Sequence, residues 1–424
     1  MNMLRTDAKL VIIGQGYVGL PVAMRAVEAG FEVVGFDRAG WKVDRLRAAD
    51  SYIDDVTDAH LAAALATGRY TPSGDEADLA HFDVAVITVP TPLRDGAPDL
   101  SFIEAAGRDL APHIGVGSIV ILESTTYPGT TDELLLPILE AGSGLVAGRD
   151  FHLGFSPERI DPGNQQWNFR STPKIVSGID EASLKAIELF YDRLVDTTVP
   201  VSGTREAEFT KLLENTYRFV NVALVNELAV HAHTLGVDIW EVIRAASTKP
   251  FGFTAFWPGP GVGGHCLPID PAYLAWQIER RTGVTTRFIE TANDVNRHMP
   301  QYVVQRVMLG LNDRSKSLKG ARVIVVGAAY KKNSNDARDT PASAVVEGLA
   351  QLGALVQVHD PHVEHFEHDE LCERIELTCT ELQAADAVVI VTDHDVVDYA
   401  RIARHADYVL DTRNCMSGTN VELL

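Results

Sequence analysis

One segment of the chain, Gly259-Pro-Gly-Val-Gly-Gly-His-Cys266-Leu-Pro-Ile-Asp270-Pro, sets a thiol, an imidazole and a carboxylate close together. Glycines carry no Cβ, so a glycine-rich loop lets a substrate come near the Cys266 thiol. A thiol can add to a carbonyl and hold an acyl group as a thioester. The inert alternative is a small buried residue, which is what most free cysteines are. His265 beside it and Asp270 four residues on favour the chemical reading. Glu158, in Phe155-Ser-Pro-Glu-Arg-Ile-Asp-Pro-Gly, follows a strand-like run, where open α/β sheets present ligands. Lys211 and Asn215 are four apart and share one face of a predicted helix; a solvated face is the ordinary alternative. Ser124-Thr125-Thr126 offers hydroxyls after another strand, or an ordinary capping turn.

A second signal opens the chain. Gly14-Gln-Gly16-Tyr-Val-Gly19 stands between a strand-like Lys9-Leu-Val-Ile-Ile and a helix-like run from Leu20 to Ala29. Such glycines permit a tight turn and let a pyrophosphate reach a helix N-terminus. Asp37 ends the next strand, 18 residues after Gly19, where it can bond the adenosine ribose hydroxyls. It would repel a 2′-phosphate, so NAD is expected over NADP, a preference that the neighbouring Arg38 tempers. A nicotinamide cofactor together with an acyl-holding thiol points to oxidation past the aldehyde, to an acid.

Positioning these groups requires an α/β chain. Strands are predicted at Glu32–Asp37, Val84–Val89, Ile119–Leu122 and His152–Phe155, with helices between several of them. Phe209, Leu212, Leu213, Thr216, Phe219, Val220, Ala223, Leu224 and Leu228 recur at helical spacing and predict one long helix over Thr204–Leu235. Another helix is predicted over Thr286–Leu311. A second strand series follows: Arg322–Gly327, Leu355–Asp360, Ala387–Val391 and Tyr408–Leu410. It loosely repeats the first, but Gly327-Ala-Ala-Tyr-Lys-Lys lacks the glycine fingerprint, so its lysines are expected to meet another ligand's phosphates. The expected architecture is two Rossmann-like doubly wound parallel-sheet domains, residues 1–203 and 312–424, joined by a long helix and a helical middle domain, 204–311.

Bulk properties narrow the class. A net charge of −21 argues against nucleic acid as a partner. The four cysteines form no C-x-x-C pair, which argues against a zinc ribbon or a disulfide framework. With neither an apolar leader nor a long apolar run, a cytoplasmic enzyme without a membrane partner is expected. The long helix is a dimer surface in this reading.

The chain resembles the UDP-glucose/GDP-mannose dehydrogenase family over nearly its whole length. The likeness rests on the glycine fingerprint, Val89-Pro-Thr-Pro, Glu123-Ser-Thr-Thr-Tyr-Pro-Gly-Thr, Ser156-Pro-Glu-Arg, Lys211-Leu-Leu-Glu-Asn215, Gly263-Gly-His-Cys-Leu-Pro-Ile-Asp and Tyr330-Lys-Lys…Asp336-Ala-Arg338. It implies a four-electron oxidation of a nucleotide-sugar C6 alcohol to the uronic acid, using two NAD+ per substrate. Cys266 would form a thiohemiacetal and then a thioester. Lys211 and Asn215 would stabilise oxyanions, Asp270 would organise a water, and Glu158 with Thr125 would serve hydrolysis. NAD would meet Gly14, Gly16, Tyr17, Val18, Gly19, Asp37, Arg38, Pro90, Thr91, Ser124, Thr125 and Arg338. Glu158, Arg159, Lys211, Phe256, Gly263 and Lys331 would meet the substrate. UDP-glucose dehydrogenases commonly carry Lys where Ile269 stands, so this loop looks like the branch oxidising UDP-N-acetylhexosamines. UDP-glucose and dTDP-glucose are the alternative substrates. The rival classes are a two-electron β-hydroxyacid dehydrogenase, which needs no Cys266, and a non-catalytic nucleotide-sugar binder.

Overall fold

The structure is a computed structural model describing residues 8–94, 96–160, 164, 166–264 and 266–424; His265 and the side chain of Cys266 lie outside the described residues. The chain divides into two compact units, Met1–Glu214 with Ala272–Gly283, and Asn215–Pro271 with Val284–Leu424.

In the first unit, six strands form one parallel sheet: β1 (Lys9–Ile13), β2 (Glu32–Phe36), β3 (Tyr70–Ser73), β4 (Val84–Ile87), β5 (Ile119–Leu122) and β6 (His152–Phe155). Their order is 3-2-1-4-5-6, the doubly wound arrangement that binds ligands beyond the strand C-termini. Helices cover both faces of such a sheet, so its strands read as continuous apolar runs rather than alternating ones. Leu10, Val11 and Ile12 are accordingly fully buried. Each such aliphatic side chain contributes about 1.5–3 kcal/mol relative to exposure. Helix α1 (Gly19–Glu28) packs Leu20, Val22, Ala23 and Ala26 into this core. A short parallel pair, β7 (Lys174–Val176) and β8 (Thr198–Pro200), flanks helix α2 (Glu181–Tyr191), which Asp180 caps through the Ser183 N–H.

Helix α3 (Thr204–Thr234) runs without a break from the first unit into the second. The predicted long helix is therefore present. Helix α4 (Cys266–Thr282) is a departure from the sequence reading. The glycine-rich run suggested a loop around Cys266, yet the loop ends before Cys266, which opens the helix. Proline is tolerated in a first turn, where N–H groups lack helical partners anyway, so Pro268 does not forbid it. Helix α5 (Arg287–Asp313) follows.

The second unit contains another six-stranded parallel sheet: β9 (Arg322–Val326), β10 (Leu355–His359), β11 (Glu373–Arg374), β12 (Ala387–Ile390), β13 (Val409–Asp411) and β14 (Val421–Leu423). Its order is β11-β10-β9-β12-β13-β14, which repeats the first sheet's topology. Helix α6 (Pro341–Gln351) and α5 supply Val345, Val346, Leu349, Val303 and Val307 to its core. Among the described residues, no helix is long and apolar enough to cross a membrane.

Candidate active site

The glycine turn of the first unit is built by steric need. Gly14 has φ +95°, and a Cβ there would lie 2.6 Å from the Thr88 carbonyl oxygen. A Cβ on Gly19 would lie 1.9 Å from the Gly14 oxygen, so α1 can start this close to β1 only with glycine. At Gly16 a Cβ would meet no atom of the described residues within 4 Å, so nothing among them demands glycine there. The demand fits a pyrophosphate approaching the backbone. The first turn of α1 has no side-chain cap and no acidic residue, which leaves its positive end for an anion. Tyr17 and Val18, both half-buried, complete the turn.

Asp37 stands just after β2. Its carboxylate accepts the Gln15 N–H at 2.9 Å and the Ala39 N–H at 2.9 Å, and pairs with Lys42 at 3.0 Å. Lys42, one helical turn on, was not foreseen. Arg38 does not turn towards Asp37; it makes a bidentate pair with Asp109 at 2.6 and 3.1 Å. Gln15 is fully buried, with Tyr70 donating to its Oε1 at 2.8 Å and Tyr52 to its carbonyl at 2.5 Å. The turn and the ribose-side carboxylate are thus held in place by protein groups, an arrangement that fits NAD.

Pro90 and Thr91 follow β4, and Ser124 and Thr125 follow β5. Ser124 donates to the Val89 carbonyl at 2.8 Å and ties these two strand ends together. The segment after Thr125 is anchored from α3. Glu208, fully buried, accepts from the Gly129 N–H at 2.5 Å, the Thr131 N–H at 2.9 Å and the Thr131 hydroxyl at 2.7 Å. Burial outweighs these three donors and pushes its pKa up to about 7. Glu208 lies one turn before Lys211, a spacing that could have flagged it.

Glu158 is buried beyond β6, its Oε1 accepting the N–H groups of Arg159 and Ile160 at 2.6 Å each. Its Oε2 meets Lys174 of β7 at 3.2 Å. Lys174 also meets Glu123 at 3.0 Å, and Tyr191 of α2 donates to that same Glu123. Burial alone would lower the Lys174 pKa, but the two carboxylates outweigh it and raise it. Burial likewise raises Glu123 and, with Glu123 beside it, Tyr191. Lys174 and Tyr191 escaped the sequence reading because nothing in their local pattern marks them. Arg159 pairs with Glu214 at 2.6 Å and donates to the Pro173 carbonyl at 2.6 Å.

Lys211 and Asn215 do not lie on a solvated face: they are 8% and 2% exposed. Among the described residues the Lys211 ammonium has no hydrogen-bond or ion-pair partner. Asn215 donates its amide to Asp270 of α4 and accepts from Arg218 at 2.6 Å. Asp270, itself 4% exposed, stands one turn after Cys266 on α4. Before Cys266, the two glycines are required by protein rather than left open. A Cβ on Gly263 would lie 2.7 Å from the Asp339 oxygen, and one on Gly264 would lie 2.6 Å from the Tyr330 ring. The start of this loop is pinned by the Asn226 side chain, which accepts the Gly259 N–H at 2.9 Å and donates to Asn296 at 2.9 Å. Phe256 sets its ring edge against Tyr217, centroids 5.7 Å apart. Lys331 is half-buried in the segment after β9, and Arg338 pairs with Asp336 at 2.6 Å.

Comparison with known proteins agrees with this geometry. Three family models match in order: the NAD binding domain of the UDP-glucose/GDP-mannose dehydrogenase family at residues 8–195, its central domain at 205–298 and its UDP binding domain at 324–418. The chain belongs to the UDP-glucose/GDP-mannose dehydrogenase family. It is an NAD-dependent nucleotide-sugar dehydrogenase. It is similar to the UDP-N-acetyl-D-mannosamine dehydrogenase of Pyrococcus horikoshii, 34% identical and covering 91% of this chain and 89% of that one. The UDP-N-acetyl-D-glucosamine 6-dehydrogenase of Pseudomonas aeruginosa is 36% identical, covering 84% of this chain and 83% of its own. A solved structure of the Pyrococcus horikoshii UDP-D-ManNAc dehydrogenase superposes with a TM-score of 0.90 at 31% identity, covering 98% of both chains.

Proposed function

We propose that this enzyme oxidises the C6 alcohol of a UDP-N-acetylhexosamine, the gluco or manno epimer, to the uronic acid in two steps carried by Cys266. The observation that supports this reading is the pairing of chemistry on α3. Lys211 is a nearly buried ammonium without a partner among the described residues. An ammonium held this way suits an oxyanion developing at a reacting carbon. Asn215 and Asp270 bind one another beside the helix that Cys266 opens. A helix N-terminus favours a thiolate over a thiol. The names of the two relatives and Ile269 in the motif favour an N-acetylated sugar.

NAD+, when bound at the Gly14–Gly19 turn, accepts the hydride in each oxidation. The residues of the chain do the rest. Lys211 stabilises the C6 oxyanion as the alcohol loses its proton. The Cys266 thiolate adds to the aldehyde, and the sulfur keeps the substrate in place until a second oxidation leaves a thioester. Asp270, fixed by Asn215, orients a water near that centre. Glu158 takes a proton from the hydrolytic water, with Thr125 as a further contact. Lys331 binds the diphosphate.

NADH yield per product over a panel of UDP-, dTDP- and GDP-hexoses, with and without the N-acetyl group, tests this. Two NADH per uronate, with turnover highest on an N-acetylated UDP-sugar, are expected; one NADH would sink the reading. Cys266→Ser should abolish uronate formation.

The proposed assembly is a homodimer through α3. Phe209, Leu213, Tyr217, Leu224 and Leu228 of that helix are each 41–56% exposed. An apolar stripe of this length on one helix suits a second copy. A stable monomer in light scattering at assay concentration refutes it.

A further inference from the structure

Lys174 takes no part in the chemistry above, yet its position is costly. It is 3% exposed, with Glu123 at 3.0 Å, Glu158 at 3.2 Å, and its Nζ 5.2 and 5.3 Å from the Phe169 and Tyr191 ring centroids. Taking an ion out of water costs several kcal/mol unless well-placed partners offset it. Two carboxylates around one ammonium leave one negative charge in excess. Glu123 resolves the excess: it is the more buried of the two, accepts from Tyr191, and has an Oε2 with no hydrogen-bond partner among the described residues. A neutral Glu123 leaves Lys174 as the counter-charge of Glu158. The other groups facing Glu158 are already engaged. Arg159 pairs with Glu214 of α3, and the N–H groups of Arg159 and Ile160 hold the carboxylate's other oxygen.

We infer that Lys174 is a positioning residue, which orients Glu158 as a carboxylate for thioester hydrolysis, with Glu123 as the buried carboxyl that balances the charge. This rests on the proposed role of Glu158. In the step concerned, Glu158 takes one proton from water, the water oxygen adds to the thioester carbonyl, the C–S bond breaks, and Cys266 leaves as thiolate. No electrons are exchanged. Lys174 keeps its proton throughout.

The test uses the full-length enzyme with NAD+ and whichever UDP-N-acetylhexosamine the wild type oxidises. Lys174→Met should release a burst of two NADH per site and then turn over slowly, with acyl-enzyme trapped by acid quench. A steady-state loss of roughly ten- to a hundred-fold is expected, since a positioned general base contributes about that much or more. The acid limb of its kcat–pH profile should move up by about one unit as the opposite charge is lost. Glu123→Gln exchanges a neutral carboxyl for a neutral amide and should leave that limb where it is, and Lys174→Arg should restore part of the rate. A limb that moves when Lys174 loses its charge, yet stays put when Glu123 becomes an amide, cannot come from general loosening of the fold. A Lys174→Met profile that overlays the wild type, or a slowed first hydride transfer without trapped acyl-enzyme, overturns the inference. Should Lys174→Met not fold, Glu123→Gln decides alone, and an acid limb that moves down, as it would on losing a charged Glu123, overturns it. A wild type that yields one NADH per product defeats the underlying mechanism and this inference with it, and is seen before any variant is made.

Discussion

The two six-stranded sheets share a strand order but treat the same acidic position in opposite ways. Gly14 and Gly327 occupy matching turns: each N–H donates at 2.8 Å to the end of the neighbouring strand, at Phe36 and His359 respectively. Each has a positive φ, +95° and +93°, and in each a Cβ would strike the threonine after the next strand, Thr88 at 2.6 Å or Thr392 at 2.5 Å. Asp37 and Asp360 then follow the second strand of each sheet. Asp37 accepts two backbone N–H groups and pairs with the partly exposed Lys42. Asp360 is sealed in. It accepts the N–H groups of Ala328, Ala329, His362 and Val363 at 2.7–3.0 Å, and meets the fully buried His394 at 3.0 Å. The Asn333 N–H donates to His394 Nδ1 at 2.9 Å, so the imidazole proton sits on Nε2 and points at Asp360. Protein groups thus fill the second unit's ribose-side position. The same topology yields the turn proposed to hold NAD in one unit and an internal brace in the other.

Asp360→Asn should therefore be the most disruptive change. It would leave a buried set of donors facing an amide, and breaking a buried charged network of this kind costs about 3–5 kcal/mol. The loss should appear in thermal melting at neutral pH. The sign with pH follows from the cause. His394 and the backbone donors overcome burial and hold the Asp360 carboxyl well below its ordinary value of 3.8. Its stabilisation is then fully present above that ordinary value and is lost only as pH falls towards the lower, folded-state pKa. The gap between wild type and variant should be wide at pH 7 and narrow below about pH 4. A gap that persists undiminished in acid would mean that shape, not charge, makes the brace.

The glycines sharpen the comparison from the opposite side, because there the two units are alike. Gly14→Ala and Gly327→Ala should each destabilise by roughly 1–3 kcal/mol from backbone strain alone, before any relief of the Thr88 or Thr392 contact. Thermal melting of the pair should show similar losses, although only the Gly14 turn is the one proposed to hold NAD. If Gly327→Ala were neutral, the second turn would not be the structural copy that its hydrogen bonds suggest.

Much of this frame was legible before the structure. Runs such as Ile119–Leu122 and His152–Phe155 coincide with observed strands because strands covered on both faces must be apolar throughout. The 31-residue helix α3 was visible because its apolar residues keep helical spacing over many turns. Strand β3, Tyr-Thr-Pro-Ser, was missed: it is short, contains proline, and lies at the sheet edge, where a missing N–H is tolerated. The start of α4 was hidden by the glycines that precede it, which made the segment read as a loop. Within the site, sequence spacing could bring Lys211 and Asn215 together, since both ride one helix. It could not bring Lys174 to Glu158 or Glu123, which depends on β5, β6 and β7 meeting in space.

Asp37 is where the comparison can fail most informatively. Its bonds to Gln15, Ala39 and Lys42 could make it a brace like Asp360, or they could hold a carboxylate ready for a ribose. The two roles differ in cost. A brace resists substitution, whereas the buried Asp37 side chain keeps some contact with water, 10% against none for Asp360, and its lysine is 22% exposed, so solvent screens the pair and lowers its contribution to stability. Asp37→Asn should therefore leave the melting temperature nearly unchanged, while raising the KM for NAD+ about ten-fold, equivalent to about 1.4 kcal/mol of lost binding. Neutralising Asp37 also leaves the Lys42 ammonium without its counter-charge, beside the place a 2′-phosphate would occupy. The NADP+/NAD+ ratio of kcat/KM should rise accordingly, and Lys42→Met added to Asp37→Asn should bring it back down. If Asp37→Asn instead costs as much stability as Asp360→Asn and leaves cofactor preference alone, the two carboxylates are the same device, and the selection of NAD lies elsewhere in the turn.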